Sequence, residues 1–170
     1  GLAILRNAAE KGNADAQFTL GAIYAGCRYD AKEPYFEDTS SNFAYTMLGE
    51  KIDLKRAAYW YTLAAKQGHV MALNNLGNAY RKGAGVERNY VKATELIRKA
   101  AEQGDPYAQL NYGDMFRDGD VWIRIESDSI TGGSLVLHAK PDIEKAKEWW
   151  TKALENGNES AKERLEKIYE

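Results

Sequence analysis

Apolar residues between Leu54 and Lys82 recur at the three- to four-residue spacing of an α-helix, and they do not alternate as in a strand. They fall into two segments, about Asp53 to Lys66 and about His69 to Lys82. Asp53 can cap the first free amides of the first segment, and Gly68 provides the left-handed backbone that ends it. The stretch therefore predicts two helices joined by a tight turn.

The same pattern returns about 36 residues later in the chain. Neither helix can bury its apolar stripe alone, so the helix pairs must stack on one another. A fixed period built on a helix pair predicts an all-α fold, a right-handed α-solenoid with repeats of about 36 residues. A mid-helix glycine costs about 1 kcal/mol relative to alanine, so its recurrence predicts close packing between helices. The matching residues are Ala57 and Ala93, Gly68 and Gly104, Ala72 and Ala108, Gly77 and Gly113, and Tyr80 and Phe116.

Small and aromatic residues stand at fixed spacing from Ala57 to Val86: Ala57, Trp60, Tyr61, Ala64, Ala65, Gly68, Ala72, Leu76, Gly77, Tyr80, Gly83, Gly85 and Val86. This pattern resembles the Sel-one-like repeat, a relative of the tetratricopeptide repeat. Other parts of the chain match it less completely, with Leu96 and Ile97 in place of the Trp-Tyr pair. The resemblance implies a bacterial adaptor or scaffold whose concave groove, lined by the helix after the turn glycine, binds a partner.

Two inserts interrupt the register of what we predict to be a single array over residues 1–170. The first, about residues 28–51, is rich in tyrosine and phenylalanine. We interpret these aromatic residues, together with Trp122 of the second insert, as a satellite core, with interface anchors as the alternative. In the second, about residues 120–140, Val121, Ile123 and Ile125 alternate with Trp122 and Arg124. This alternation predicts a β-hairpin within a helical protein.

Composition and charge argue against several classes of function. A net charge of −2 argues against binding to a nucleic-acid backbone, which needs a concentrated basic face. No apolar run is long enough to predict a membrane span. Cys27 is the single cysteine, so no intrachain disulfide is possible. We expect a fragment of a longer protein from the bacterial cytoplasm or periplasm, predominantly monomeric, with weak self-association through the hairpin as an alternative.

No catalytic, metal or cofactor site is predicted. The two histidines, His69 and His138, have no Cys, Asp or Glu at metal-ligand spacing. We interpret His69, which follows the turn glycine, as an ordinary surface residue. Cys27 has no histidine nearby and is expected to be an idle thiol.

The predicted partner-binding residues lie on the second helix of each repeat and on the second insert. Asn74, Asn78 and Arg81 lie opposite the packing residues of their helix and are expected to point outward. Amide side chains can hold a peptide backbone, and arginines can receive carboxylates. Solvated helix faces are the alternative interpretation. The remaining members of the set are Phe18, Leu110, Asp114, Arg117 and Trp122.

The leading hypothesis is a non-enzymatic module that binds a peptide or protein partner. Family analogy alone supports a narrower version, an immunity protein that neutralises a toxin. Two further alternatives are a hydrolase with its site between an insert and the groove, and a structural protein that associates through the hairpin edge.

Overall fold

The computed structural model describes residues 1–26, 51–126 and 134–168. Cys27, the first insert with its aromatic residues, and the turn of the second insert lie outside the described residues. The chain divides into two compact units, residues 1–88 and residues 89–170. A single continuous array over residues 1–170 stays a prediction.

The described part of unit 1 forms two helix pairs: α1 (Leu2–Glu10) with α2 (Ala14–Tyr24), and α3 (Leu54–Lys66) with α4 (Val70–Lys82). Helix α2 also packs against α3, so the two pairs stack. The predicted cap is present, because the Asp53 carboxylate accepts a hydrogen bond of 3.0 Å from the amide of Arg56. Gly68 takes a φ of 82°, as its position after α3 requires.

Unit 2 contains α5 (Tyr90–Glu102) with α6 (Pro106–Asp118), followed by strands β1 (Trp122–Glu126) and β2 (Ser134–His138). The second pair is α7 (Ile143–Glu155) with α8 (Ser160–Glu166). Helix α6 packs against α7 as α2 does against α3. The strands are antiparallel, and Trp122 pairs with His138. The predicted hairpin in the second insert is therefore confirmed.

The hairpin docks on α5. The Trp122 amide donates a hydrogen bond of 3.0 Å to Thr94 Oγ1. The indole ring stacks on the Tyr90 ring of α5 with centroids 5.9 Å apart. Within the hairpin, the tilted His138 ring packs against the same indole at a centroid distance of 4.4 Å. A two-stranded hairpin is marginally stable alone in water, so its contacts with Thr94 and Tyr90 of α5 anchor it. Trp122 thus packs within its own unit, as expected of a satellite core.

Close helix packing is confirmed at Gly113 and at Gly21, the glycine of α2 that corresponds to Gly77 in α4. A Cβ on Gly21 would lie 2.6 Å from the Tyr61 ring, and one on Gly113 would lie 2.5 Å from Trp150 Cδ1. Any larger side chain would collide with the aromatic residue of the following repeat. The glycine therefore fixes how closely one helix pair approaches the next within each unit.

Each unit also contains the same hydrogen-bond chain between helices. In unit 1, Gln17 donates to the Ala9 carbonyl at 3.0 Å and accepts from Gln67 at 2.8 Å. In unit 2, Gln109 donates to the carbonyl of Ala101 at 3.2 Å and accepts from Asn156 at 2.9 Å. Both glutamines are buried, and these bonds satisfy their amides.

Candidate partner-binding pockets

Two of the predicted site residues in unit 1 do not point outward. Phe18 is buried and stacks on the His69 ring with centroids 4.6 Å apart. Asn74 has no exposed surface, because all residues from Ala72 to Gly77 are buried and that part of α4 is enclosed on every side. The prediction assumed a helix with one buried stripe and one solvated face, and it is wrong at these two positions. Asn78 and Arg81 are half-buried.

The surface position predicted for His69 is also wrong. Its side chain is 10% exposed, and its Nδ1 accepts a hydrogen bond of 3.2 Å from the Ala72 amide, capping α4. Nε2 lies 3.3 Å from the Asp15 carboxylate. The ring therefore joins α4 to α2 through the contact with Phe18.

In unit 2, Leu110 and Asp114 are buried and the expectation of an outward position is wrong for both. Arg117 is exposed, as predicted, and Trp122 is half-buried in the hairpin contact described above. Burial of an aspartate requires partners, since an unpaired buried charge is strongly destabilising.

Those partners come from α7 and α8. Trp150 Nε1 donates a hydrogen bond of 3.1 Å to Asp114 Oδ1, and Arg164 Nε lies 2.9 Å and 3.1 Å from the two carboxylate oxygens. Arg117 lies 3.4 Å from Asp114, but its main partner is Asp118, at 2.7 Å and 3.0 Å. The hydrogen bond with Asp118 raises the pKa of the Arg117 guanidinium. Asp114 is thus the anchor of a charged cluster.

A cavity of about 310 Å³ lies over this cluster and will be called the charged pocket. Its lining combines cationic and apolar side chains, with the buried Trp150 as its floor. The lining residues are Arg117, Ile143, Trp150, Arg164, Lys167 and Ile168.

Unit 1 contains a narrower crevice between α3 and α4, which will be called the amide crevice. Its volume of about 10 Å³ is sufficient for about one water molecule. Asn75 is buried here, and neither its Nδ2 nor its Oδ1 has a hydrogen-bond partner in the part of the chain that the structure describes. The lining residues are Leu54, Ala57, Ala58, Tyr61, Asn75, Asn78, Ala79, Lys82 and Ala84.

The charged pocket and the amide crevice occupy the same place in their repeats. Counted from the turn glycines Gly68 and Gly157, five of their lining residues coincide. The apolar and aromatic walls are retained, whereas two amides in unit 1 become two cations in unit 2. The pairs are Leu54 and Ile143, Tyr61 and Trp150, Asn75 and Arg164, Asn78 and Lys167, and Ala79 and Ile168.

Sequence reasoning missed Asn75, Arg164 and Lys167. The last two lie on the final helix, where the register places them level with Asn75 and Asn78. Extending the register to the last helix would have identified the recurring position. Among the described residues, no group of three or more His, Cys, Asp and Glu could hold a metal ion.

Comparison with known proteins identifies the repeat. The family model of the Sel1 repeat matches residues 46–69, 70–105, 106–128 and 135–158. The chain belongs to the Sel1 repeat family. Proteins of this family typically mediate protein–protein interactions.

Two curated relatives share part of their sequence with this Sel1 repeat chain. One is the HRD3B component of an ERAD-associated E3 ubiquitin-protein ligase of Arabidopsis thaliana, 33% identical over 117 residues. The other is the DAP3-binding cell death enhancer 1 of Rattus norvegicus, 29% identical over 115 residues. Each match covers 68% of this chain but only 15% and 18% of the relatives, so the chain spans less than a fifth of either protein.

Two solved structures have the same fold. A protective antigen of uropathogenic Escherichia coli with an SLR fold is 29% identical, with a TM-score of 0.68 over 97% of this chain and 27% of the antigen. A Sel1 repeat protein from Oxalobacter formigenes has a TM-score of 0.69 over 99% of this chain and 53% of its own, at 24% identity. The predicted fold class, a helical-repeat solenoid with a β-hairpin, is therefore confirmed. In the described residues, no helix is both long and apolar enough to cross a membrane.

Proposed function

We propose that this Sel1 repeat chain is a non-catalytic adaptor or scaffold that binds a peptide or protein partner in the pockets beside its second helices. One observation carries the proposal: equivalent pockets recur in the two units with the same walls and different polar side chains. A recurring site with variable lining is what a recognition surface built from repeats requires.

The residues that repeat are engaged inside the fold. Gly21 and Gly113 lie against an aromatic ring of the next helix pair. Gln17 and Gln109 donate hydrogen bonds to backbone carbonyls of the preceding helix. The residues that differ between the two pockets leave the fold unchanged and are the ones available to select a partner.

The names of the curated relatives support a binding role. One is a component of a ubiquitin ligase, and the other is named for binding DAP3. The chain covers too little of either protein for its partner to be carried over. A bacterial origin stays a prediction, because the two solved structures are bacterial whereas the relatives come from a plant and a rat.

Affinity capture from the source cell, followed by mass spectrometry, tests the proposal. The chain is compared with Asn78→Ala, Arg117→Ala and the double variant, with Lys99→Ala on the exposed face of α5 as control. We expect the double variant to lose partners that the control retains. If the double variant keeps every partner, the pockets are not the binding site and the proposal is wrong. Reproducible hydrolysis of an ester, amide or glycoside would contradict the non-catalytic assignment.

A further inference from the structure

We infer that the charged pocket of unit 2 binds the acidic side chains of a partner peptide in which Asp or Glu is flanked by apolar residues. The inference rests on the proposed function and specifies its ligand. It comes from the combination, in one cavity, of three cationic side chains with three apolar ones.

Arg164 is held in place by the chain itself. Its Nε is bound by the Asp114 carboxylate, while its two Nη groups make no hydrogen bond within the described residues. A guanidinium fixed at one edge keeps its remaining donors in a planar fork, which matches the two oxygens of a carboxylate. Asp114 therefore orients Arg164 for a second, external carboxylate.

Each of the other two cations forms an ion pair with a carboxylate of this chain, and the carboxylate of a ligand can take that place. Lys167 Nζ lies 2.6 Å from Glu163, and both side chains are more than 60% exposed. Arg117 binds Asp118 at the edge of the cavity. Exposed ion pairs of this kind contribute about 0–1 kcal/mol to stability, so replacing them by ion pairs with a partner's carboxylates costs little free energy. These internal pairs show that side-chain carboxylates fit the cations of the pocket.

The apolar wall determines what flanks the acid. Ile143 is 38% exposed, and Ile168 is half-buried. An isolated acidic group would leave both isoleucines in water, whereas an apolar neighbour on the peptide would cover them. The amide crevice of unit 1 has neutral amides at the positions of Arg164 and Lys167, so the acidic preference belongs to unit 2.

The test is a selection of random twelve-residue peptides, displayed on phage, against the full chain. We expect enrichment of Asp and Glu next to apolar residues. A selected peptide, synthesised with an amidated C-terminus and a fluorescent label, should bind at least tenfold more tightly than its version with Gln in place of Glu. Its affinity should fall as the salt concentration rises.

Matched variants locate the contact. Arg164→Gln and Lys167→Gln should each weaken binding about fivefold or more, whereas Arg98→Gln, an equal charge change on an exposed side chain of α5, should change it less than twofold. Circular dichroism melting shows whether each variant is folded, and Lys167→Gln is the decisive one because its exposed side chain contributes least to stability.

The outcomes separate the inference from the proposed function. Failure to enrich any peptide would count against the proposed function itself. Enrichment of peptides without acidic residues would overturn only the acidic specificity. The specificity would also be wrong if binding survived Lys167→Gln unchanged, or if it depended on a free C-terminal carboxylate and not on Glu.

Discussion

Replacing Asp114 with alanine removes the anchor of the charged cluster and should destabilise the protein measurably. The residue is buried, and three donors converge on its carboxylate from α6, α7 and α8. The substitution leaves the fold topology and the apolar packing of Trp150 in place. Its effect therefore reports on the hydrogen bonds.

The magnitude follows from the exposure of each donor. Trp150 Nε1 is buried and loses its acceptor, which costs about 1–3 kcal/mol. Arg164 is about a third exposed, so water replaces much of its interaction and the loss is about 0.5–1 kcal/mol. Arg117 keeps Asp118 and contributes almost nothing. The expected destabilisation is about 1.5–4 kcal/mol, or a fall in Tm of roughly 3–16 °C for a chain of this size.

Urea unfolding followed by circular dichroism and tryptophan fluorescence measures this loss. Asp114→Asn keeps an acceptor for Trp150 and should lose about half as much. Asp118→Ala removes an exposed carboxylate from the same arginine and should change the unfolding free energy by less than about 0.5 kcal/mol. A stability of Asp114→Ala within 0.5 kcal/mol of wild type would refute the cluster's structural role.

Three further substitutions test the packing and the burial. Gly85→Ala would place Cβ 2.0 Å from the Leu54 carbonyl oxygen at a φ of 74°, so it should cost about 2 kcal/mol or more in urea unfolding. Gly113→Ala gains about 1 kcal/mol of helix propensity, but its methyl group clashes with Trp150 at a cost of about 1–3 kcal/mol. Thermal melting should show a net loss of stability, and a gain in stability would contradict the close packing. Burial raises the pKa of Tyr112, so the folded state holds the phenol proton more tightly than the unfolded state does. The stability gained from this difference is fully present below the ordinary pKa of about 10, and it is lost as the pH rises through the raised pKa of the folded state. Tyr112→Phe should therefore flatten the decline of stability above pH 10, and an unchanged slope would contradict that burial.

The fold could be predicted because its signals are local or strictly repeated. A capping residue such as Asp53 acts on amides within three residues, and Gly68 acts on the turn that contains it. The hairpin was predictable for the same reason, from alternation within a few residues of Trp122. Each of these signals is complete within one repeat or one turn.

The orientation of the site residues could not be predicted in the same way. The helical spacing of Asn74 and Asp114 indicates which face they share, but not whether that face is covered. Coverage depends on contacts between repeats, such as the one between Asp114 and Arg164, which lie 50 positions apart. The charged pocket therefore became visible only once α6, α7 and α8 were placed together.

Hydrogen exchange of the full chain, with and without a selected acidic peptide, tests most directly whether the variable pocket residues recognise the partner. Binding at the charged pocket should slow exchange in the last turn of α6, around Arg117, and across α8, from Ser160 to Glu166. Exchange in the hairpin strands should stay unchanged. Protection confined to the hairpin or to the exposed face of α5, with α8 unaffected, would contradict the assignment of recognition to this pocket.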